Sequence, residues 1–170
     1  MTDPHNLGAV LRSAEYAGAT GAVIPRHRAA NVTATVTKAA AGAVERVPLA
    51  LVSGMPTALL RLGERGVWRV GLDQDAPGSL WDLEVGARPL ALVLGAEGGG
   101  LSKLASQRCD ELVRIPRAGA LESLNVAAAG AVALLAVARS RAAATGRTGD
   151  HSPPLGTPPP RTIDTPGGPG

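Results

Sequence analysis

Leu90-Ala-Leu-Val-Leu94, followed at once by Gly95-Ala-Glu-Gly-Gly-Gly100, is the stretch whose reading settles the fold class. Five consecutive apolar residues leave no polar face, so the strand they predict must be covered on both sides. That is the pattern of a strand in a parallel α/β sheet. Glycines at its carboxyl end let a ligand approach the backbone, and such sheets bind ligands at the carboxyl ends of their strands. No Gly-Lys-Ser/Thr follows, so the loop is not a phosphate-binding P-loop, and the dinucleotide spacing is absent. Glu97, in the middle, would repel a phosphate but could attract a cation or accept a hydroxyl hydrogen bond. The plain alternative is a flexible turn with an exposed Glu.

Working outward, strands are predicted at Ala22–Ile24, Val47–Val52, Val67–Gly71 and Leu112–Ile115. Helices are predicted near Leu7–Ala17, Thr35–Ala43, Pro56–Arg65, Leu101–Arg108 and Leu124–Arg141. Pro56 suits a first helical turn. The alternation predicts an α/β fold with a mostly parallel sheet and helices on both faces. The order opens on a helix, whereas a parallel unit ordinarily enters that helix from a strand. The expectation is therefore a domain lacking its first strand, N-terminally truncated.

The 170 residues divide into one domain, 1–142, and a tail, 143–170. From Gly146 to Gly170 there are seven Pro and six Gly, and almost no large apolar residue. Such a segment cannot bury enough surface to offset its ordering entropy, so disorder is expected. There is no Phe, and Tyr16, Trp68 and Trp81 are the only aromatics, which argues against modules that stack bases on aromatic platforms. A net charge of +3 permits a polyanionic partner without demanding one. Cys109 alone excludes an intramolecular disulfide and a cysteine metal site. His5, His27 and His151 match no zinc spacing, so no metal is expected. No signal peptide is expected, and the apolar stretch Val126–Ala138 reads as too short and Ala-rich to span a bilayer. A cytoplasmic protein without membrane contact is the expectation.

Two further segments carry chemistry. In Asp3-Pro-His-Asn-Leu-Gly-Ala-Val-Leu-Arg12, Asp3 or Asn6 could cap a helix and Gly8 allows close approach. Arg12 lies six residues after Asn6, so the two converge only if Asn6 sits in the turn. A capped surface helix with a solvated arginine explains the same residues. In Ile115-Pro-Arg-Ala-Gly-Ala-Leu-Glu-Ser-Leu-Asn125, Ser123 or Asn125 could cap the Ala-rich helix that follows. Ala127–Ala131 is small on nearly every face, which suits tight packing or an oligomer interface. A Ser hydrolase is disfavoured, because no Gly-x-Ser-x-Gly elbow is present. Arg26, His27 and Arg28 form either an RNA-contacting loop or a solvated basic turn.

Taken in order, three motifs resemble those of the SpoU (TrmH-type) RNA 2′-O-ribose methyltransferases of the SPOUT superfamily. They are Asn6-Leu-Gly-Ala-Val-Leu-Arg12; Leu92-Val-Leu-Gly-Ala-Glu-Gly98 with Leu112-Val-Arg-Ile-Pro116; and Ser123-Leu-Asn-Val126. The resemblance spans Thr2 to Arg141. Thr2-Asp-Pro-His-Asn-Leu-Gly-Ala is most similar to the bacterial enzymes that methylate a guanosine ribose in 23S ribosomal RNA. The resemblance implies a deep trefoil knot in the C-terminal part, a homodimer, and an RNA partner, rRNA ahead of tRNA. It also implies S-adenosylmethionine as methyl donor, with no metal. On this chain Leu94, Gly95, Gly98, Ile115, Pro116, Leu124 and Asn125 would line the donor site. Asn6, Arg12, Glu97, Ser123 and Asn125 would form the catalytic cluster.

The implied chemistry is methyl transfer from a sulfonium to a ribose 2′-hydroxyl, which requires in-line alignment and removal of a proton. Arginine holds its proton at neutral pH. Arg12 is therefore read as binding the phosphate beside the target ribose and orienting the hydroxyl, and as the base only if its proton is displaced locally. Three departures stand out: no strand before the first motif, no N-terminal RNA-recruiting domain, and Val126-Ala-Ala-Ala where relatives often carry Ser after Val. The rival readings are a catalytically inactive dimeric RNA-binding or assembly module of the same fold, and an unrelated α/β nucleotide-binding enzyme.

Overall fold

Asp3 starts the first helix. Its carboxylate accepts the His5 N–H at 2.8 Å, Pro4 fills the first turn, and α1 runs Pro4–Tyr16. A computed structural model describes residues 3–26, 46–96, 98–120 and 123–146. After α1 come β1 (Ala22–Pro25), β2 (Leu49–Val52), α2 (Met55–Glu64), β3 (Trp68–Leu72) and β4 (Gly78–Ser79). A single 3₁₀ turn (Leu80–Asp82) leads to β5 (Leu90–Val93), α3 (Lys103–Ser106), β6 (Glu111–Arg114) and α4 (Val126–Ala144). The helix predicted over 35–43, the basic pair His27–Arg28, Glu97, His151 and the tail from 147 onward lie outside the described residues.

Every ladder between the described strands is parallel. One sheet joins β1 to β2, and the other runs β4-β6-β3-β5. The α/β class with parallel pairing is as predicted, but the described strands form two sheets instead of one. β5 also differs from its reading. It pairs with β3 alone among the described residues, and Leu90, Ala91 and Leu92 are only half-buried. An apolar run demands covered faces; it says nothing about how many strands flank it. β4 and the 3₁₀ turn carry no periodic signal. They form because Ser79 caps the Trp81 N–H and Leu80 is driven into the core, 2% exposed.

The β3–β5–β6 region is covered by helices on both faces. On one face Val70 and Val113 pack with Leu80, Leu83 and Val85 and with Ala133 and Val137 of α4. On the other, Val93 packs with Leu59 of α2 and Ala105 of α3. Gly71 permits that second contact: a Cβ there would lie 2.7 Å from Leu101 Cδ1 and from Leu112 Cδ2. Ser140 pins α4 to the loop before β5, accepting from the Val85 N–H at 3.2 Å and donating to the Leu83 carbonyl at 3.4 Å.

The apolar stretch ending at Ala138 is shorter than the helix that holds it. α4 continues through Arg139 and Arg141 for 19 residues, with mean hydropathy 1.5, long and apolar enough to cross a membrane by length and composition. Its buried positions, Gly130, Ala133 and Val137, face the rest of the chain.

At the amino ends of the strands an ion pair locks β3 to the start of β6. The Arg69 backbone N–H and Nε both donate to Asp110 Oδ2 at 2.8 Å, Nη2 donates to Oδ1, and Nη1 donates to the Leu59 carbonyl of α2 at 3.1 Å. The hydrogen bonds from Arg69 hold the Asp110 carboxyl below its ordinary range. Beside it, burial pushes the Cys109 thiol up. Asp110→Asn is expected to lower stability by about 1 kcal/mol at pH 7, after allowance for the pair's partial exposure. A depressed carboxyl contributes fully above its unfolded value near ~3.9 and loses that contribution as the pH falls through the lower folded value. The variant and the native chain should therefore converge in acid. Urea unfolding at pH 7 and through the acid range checks this, and a gap independent of pH would refute it.

Candidate functional site

Because the strands are parallel, their carboxyl ends gather the connecting loops at one end of the domain, where α/β sheets bind ligands. Here lie the loop after β5 (94–100), the loop after β6 (115–120), and the amino ends of α1 and α4. Of the two candidate caps for α4, the structure uses Asn125. Its Oδ1 accepts the Ala127 N–H at 2.8 Å and the Ala128 N–H at 3.4 Å. Its Nδ2 donates to Asn6 Oδ1 at 3.2 Å. Asn6, 9% exposed, sits inside α1 and not in the turn before it. Two helix amino ends, each with partial positive charge, are thus joined side chain to side chain.

The approach of α4 rests on Gly130. A Cβ there would come within 3.0 Å of Leu94 Cδ1 and 3.4 Å of Val10 Cγ2. Leu94 opens the glycine loop. Gly95 is needed for closing that loop: its Cβ would lie 2.2 Å from the Gly100 carbonyl carbon, where no backbone can give way. Ala96 and Gly100 exchange backbone hydrogen bonds at 2.8 and 2.9 Å across the closure. Gly98 and Gly100 take left-handed φ values of 74° and 58°. At Gly98, Gly99 and Gly100 a Cβ would meet nothing within 4 Å, so their backbone is open to a ligand.

Ile115 packs beside the core, while Pro116, Ser123 and Leu124 are exposed. Arg12 is also exposed and makes no hydrogen bond or ion pair among the described residues. With Asn6 inside the helix, six residues place Arg12 roughly 120° around the axis from it. The structure therefore brings Asn6 and Asn125 together and turns Arg12 away from them, because α1 buries the Asn6, Gly8, Leu11 and Ala14 face. One residue inside the quoted 112–116 motif was given no role by the sequence reading. Arg114, the last of β6, donates from Nη1 to the carbonyls of Ala76 and Pro77, the latter at 2.8 Å. A lone arginine closing a strand carries no pattern that would single it out. Among the described residues no group of three His, Cys, Asp or Glu could hold a metal ion.

A model of the SpoU rRNA methylase family matches residues 1–135. The chain belongs to that family. It is 48% identical over 141 residues to the 23S rRNA (guanosine-2′-O-)-methyltransferase RlmB of Burkholderia, covering 83% of this chain and 57% of that one. Against the Photobacterium profundum RlmB it is 44% identical, with the same coverage. Among solved structures it is similar to the SpoU methyltransferase AviRb of Streptomyces viridochromogenes in complex with AdoMet. There the TM-score is 0.74 at 29% identity, covering 81% of this chain and 54% of that one. The AdoMet-bound rRNA methyltransferase of Sinorhizobium meliloti gives a TM-score of 0.74 at 28% identity, covering 81% and 52%. The chain spans a little over half the length of these relatives.

For this SpoU domain the closure of the glycine loop makes a direct prediction. Gly95→Ala should push the loop off Gly100 at a cost of about 1–3 kcal/mol, the range for forced overpacking. Native-state hydrogen exchange should show the Ala96 and Gly100 amides losing protection. Unchanged protection would mean that the contact at Gly95 does not govern the loop.

Proposed function

We propose that this chain transfers a methyl group from S-adenosylmethionine to a ribose 2′-hydroxyl of RNA, in rRNA ahead of tRNA, with a guanosine of 23S rRNA as target, in the cytoplasm. The observation that carries the reading is the Asn125–Asn6 hydrogen bond. It brings the first and third SpoU motifs to the end of the sheet where the second motif forms its loop.

The residues present fit such a donor. Leu94 and Ile115 offer half-buried apolar surface to a purine, Leu124 adds exposed apolar surface, and the open backbone at Gly98–Gly100 suits close approach. When bound, the donor supplies an already activated methyl group. What remains for the protein is to hold the ribose hydroxyl in line with it and to manage one proton. Asn125, held by the helix it caps, fixes the donor-side loop. Asn6 fixes the start of α1 against it. Arg26 and Arg117, at the ends of β1 and β6, add positive charge for the phosphate backbone. Ser123, and Glu97 outside the described residues, are the remaining members of the expected catalytic cluster, and the loops after β5 and β6 are the ones a C-terminal trefoil knot would thread.

Arg12 needs a different route to the site, since α1 turns it outward. A homodimer provides one. The first 13 residues of α4, Val126–Ala138, are apolar all round, yet within the chain only 17% of the helix's 18-residue apolar window is buried, and Leu135 is 46% exposed. A helix apolar on every side calls for cover that this chain alone does not give. A second copy on that surface would also let Arg12 of one protomer serve the other.

Arg12→Ala should abolish methyl transfer while sparing donor binding by titration calorimetry. Mixing Arg12→Ala with Asn125→Ala protomers should restore about a quarter of wild-type turnover, since only mixed dimers carry one intact site. Mixtures that stay inactive would overturn the shared site. The outward Arg12 also supports a second reading, a dimeric RNA-binding or assembly module without catalysis. Methylation of a 23S rRNA transcript by the wild-type chain separates the two.

A further inference from the structure

Resting on the donor-site reading above, we propose that Arg114 is a positioning residue for the methyl-donor pocket, through the loop that follows β3. That loop, residues 73–77, belongs to no SpoU motif quoted above. It is nonetheless bound to the carboxyl end of β6 at both of its ends. The Asp73 N–H donates to the Val113 carbonyl at 3.0 Å. Arg114 Nη1 then takes the carbonyls of Ala76 and Pro77. β4 follows immediately, with Gly78 in register with Val113 and Ser79 with Arg114. Within the loop, the Asp73 carboxylate accepts the Asp75 N–H at 2.9 Å, and Ala76 is 4% exposed.

The next residues after Arg114 are Ile115 and Pro116, the donor-lining positions. β6 therefore delivers the donor wall and holds the neighbouring loop with the same last residue. Two carbonyl oxygens of the loop are held by one guanidinium group. Hydrogen bonds with one charged partner are stronger than neutral ones, and losing that donor strands the part-buried Ala76 carbonyl. Without Arg114 the loop keeps its β4 pairing but loses its tether beside Ile115. The wall should then widen without touching the groups that act on the ribose. The signature is weaker donor binding with chemistry preserved at saturation.

The test uses the whole 170-residue chain and S-adenosylmethionine as probe. Titration calorimetry and methyl-transfer kinetics are compared for wild type, Arg114→Ala and Arg114→Lys, with thermal melting of each. Arg114→Ala should raise Kd and KM for the donor by about 10-fold, the loss expected for one or two charge-assisted contacts, with kcat within about twofold. Arg114→Lys, which keeps a cationic donor, should recover most of the affinity and so keep the inference testable if the alanine variant folds poorly. Donor Kd unchanged in Arg114→Ala, or a melting shift without any KM change, would overturn the positioning role alone. Wild-type chain that fails to bind the donor would overturn the donor-site reading and this inference with it.

Discussion

The missing side chain at Gly130 is the constraint on which the site depends. α4 lies this close to both α1 and the end of β5 with nothing projecting from that position; a side chain there would force Leu94 and Val10 to shift. An added methyl would meet Leu94 at 3.0 Å, tighter than side chains normally tolerate, in an interior packed near crystal density. With the helices this close, Asn125 reaches from its capping position to Asn6. Farther apart, Asn125 would still cap α4, but Asn6 would lose that partner. A packing fact one turn inside α4 therefore sets the geometry at its amino end.

Charge pairing and chemistry are separated along the strand direction. The ion pairs among the described residues, Arg69–Asp110 and Arg46–Glu15, lie toward the amino ends of the strands, as does Arg88 stacked 3.8 Å over Trp68. Arg141 joins that end by donating to the Arg88 carbonyl. At the carboxyl end Arg114 holds two carbonyls instead, and Arg26 is exposed. The division follows from parallel topology. Strand starts are sealed by short local links, while strand ends open into loops and helix amino ends whose dipoles favour anions.

The strands at Leu90–Leu94 and Leu112–Ile115 were legible because apolar runs of that length have few other uses. α1 and α4 were legible because Asp3 and Asn125 are strong caps ahead of helical runs. Asn125 could not be separated from Ser123 on sequence, since either side chain can cap a helix; the structure separates them, because α4 starts at Val126 and Asn125 Oδ1 takes the Ala127 and Ala128 N–H groups. β4 was invisible: two residues have no periodicity, and they pair only because β6 is already there. The role of Arg114, a residue inside a quoted motif, was invisible for a related reason. Its partners are carbonyls more than 35 residues earlier in the chain, and any residue supplies a carbonyl.

By itself the sequence determined the α/β class, the parallel pairing and the three motifs in their order, because these depend on local periodicity, glycine placement and capping chemistry. Only the tertiary structure decided which of those residues meet. It joined Asn6 to Asn125, spent the space at Gly95 on closing its own loop, and set Arg12 on the outward face of α1. The reason is that a helix face is assigned by what packs against it. Whether Asn6 stood in the turn or in the helix, and so whether Arg12 shared its side, was fixed only when α4 came down on α1.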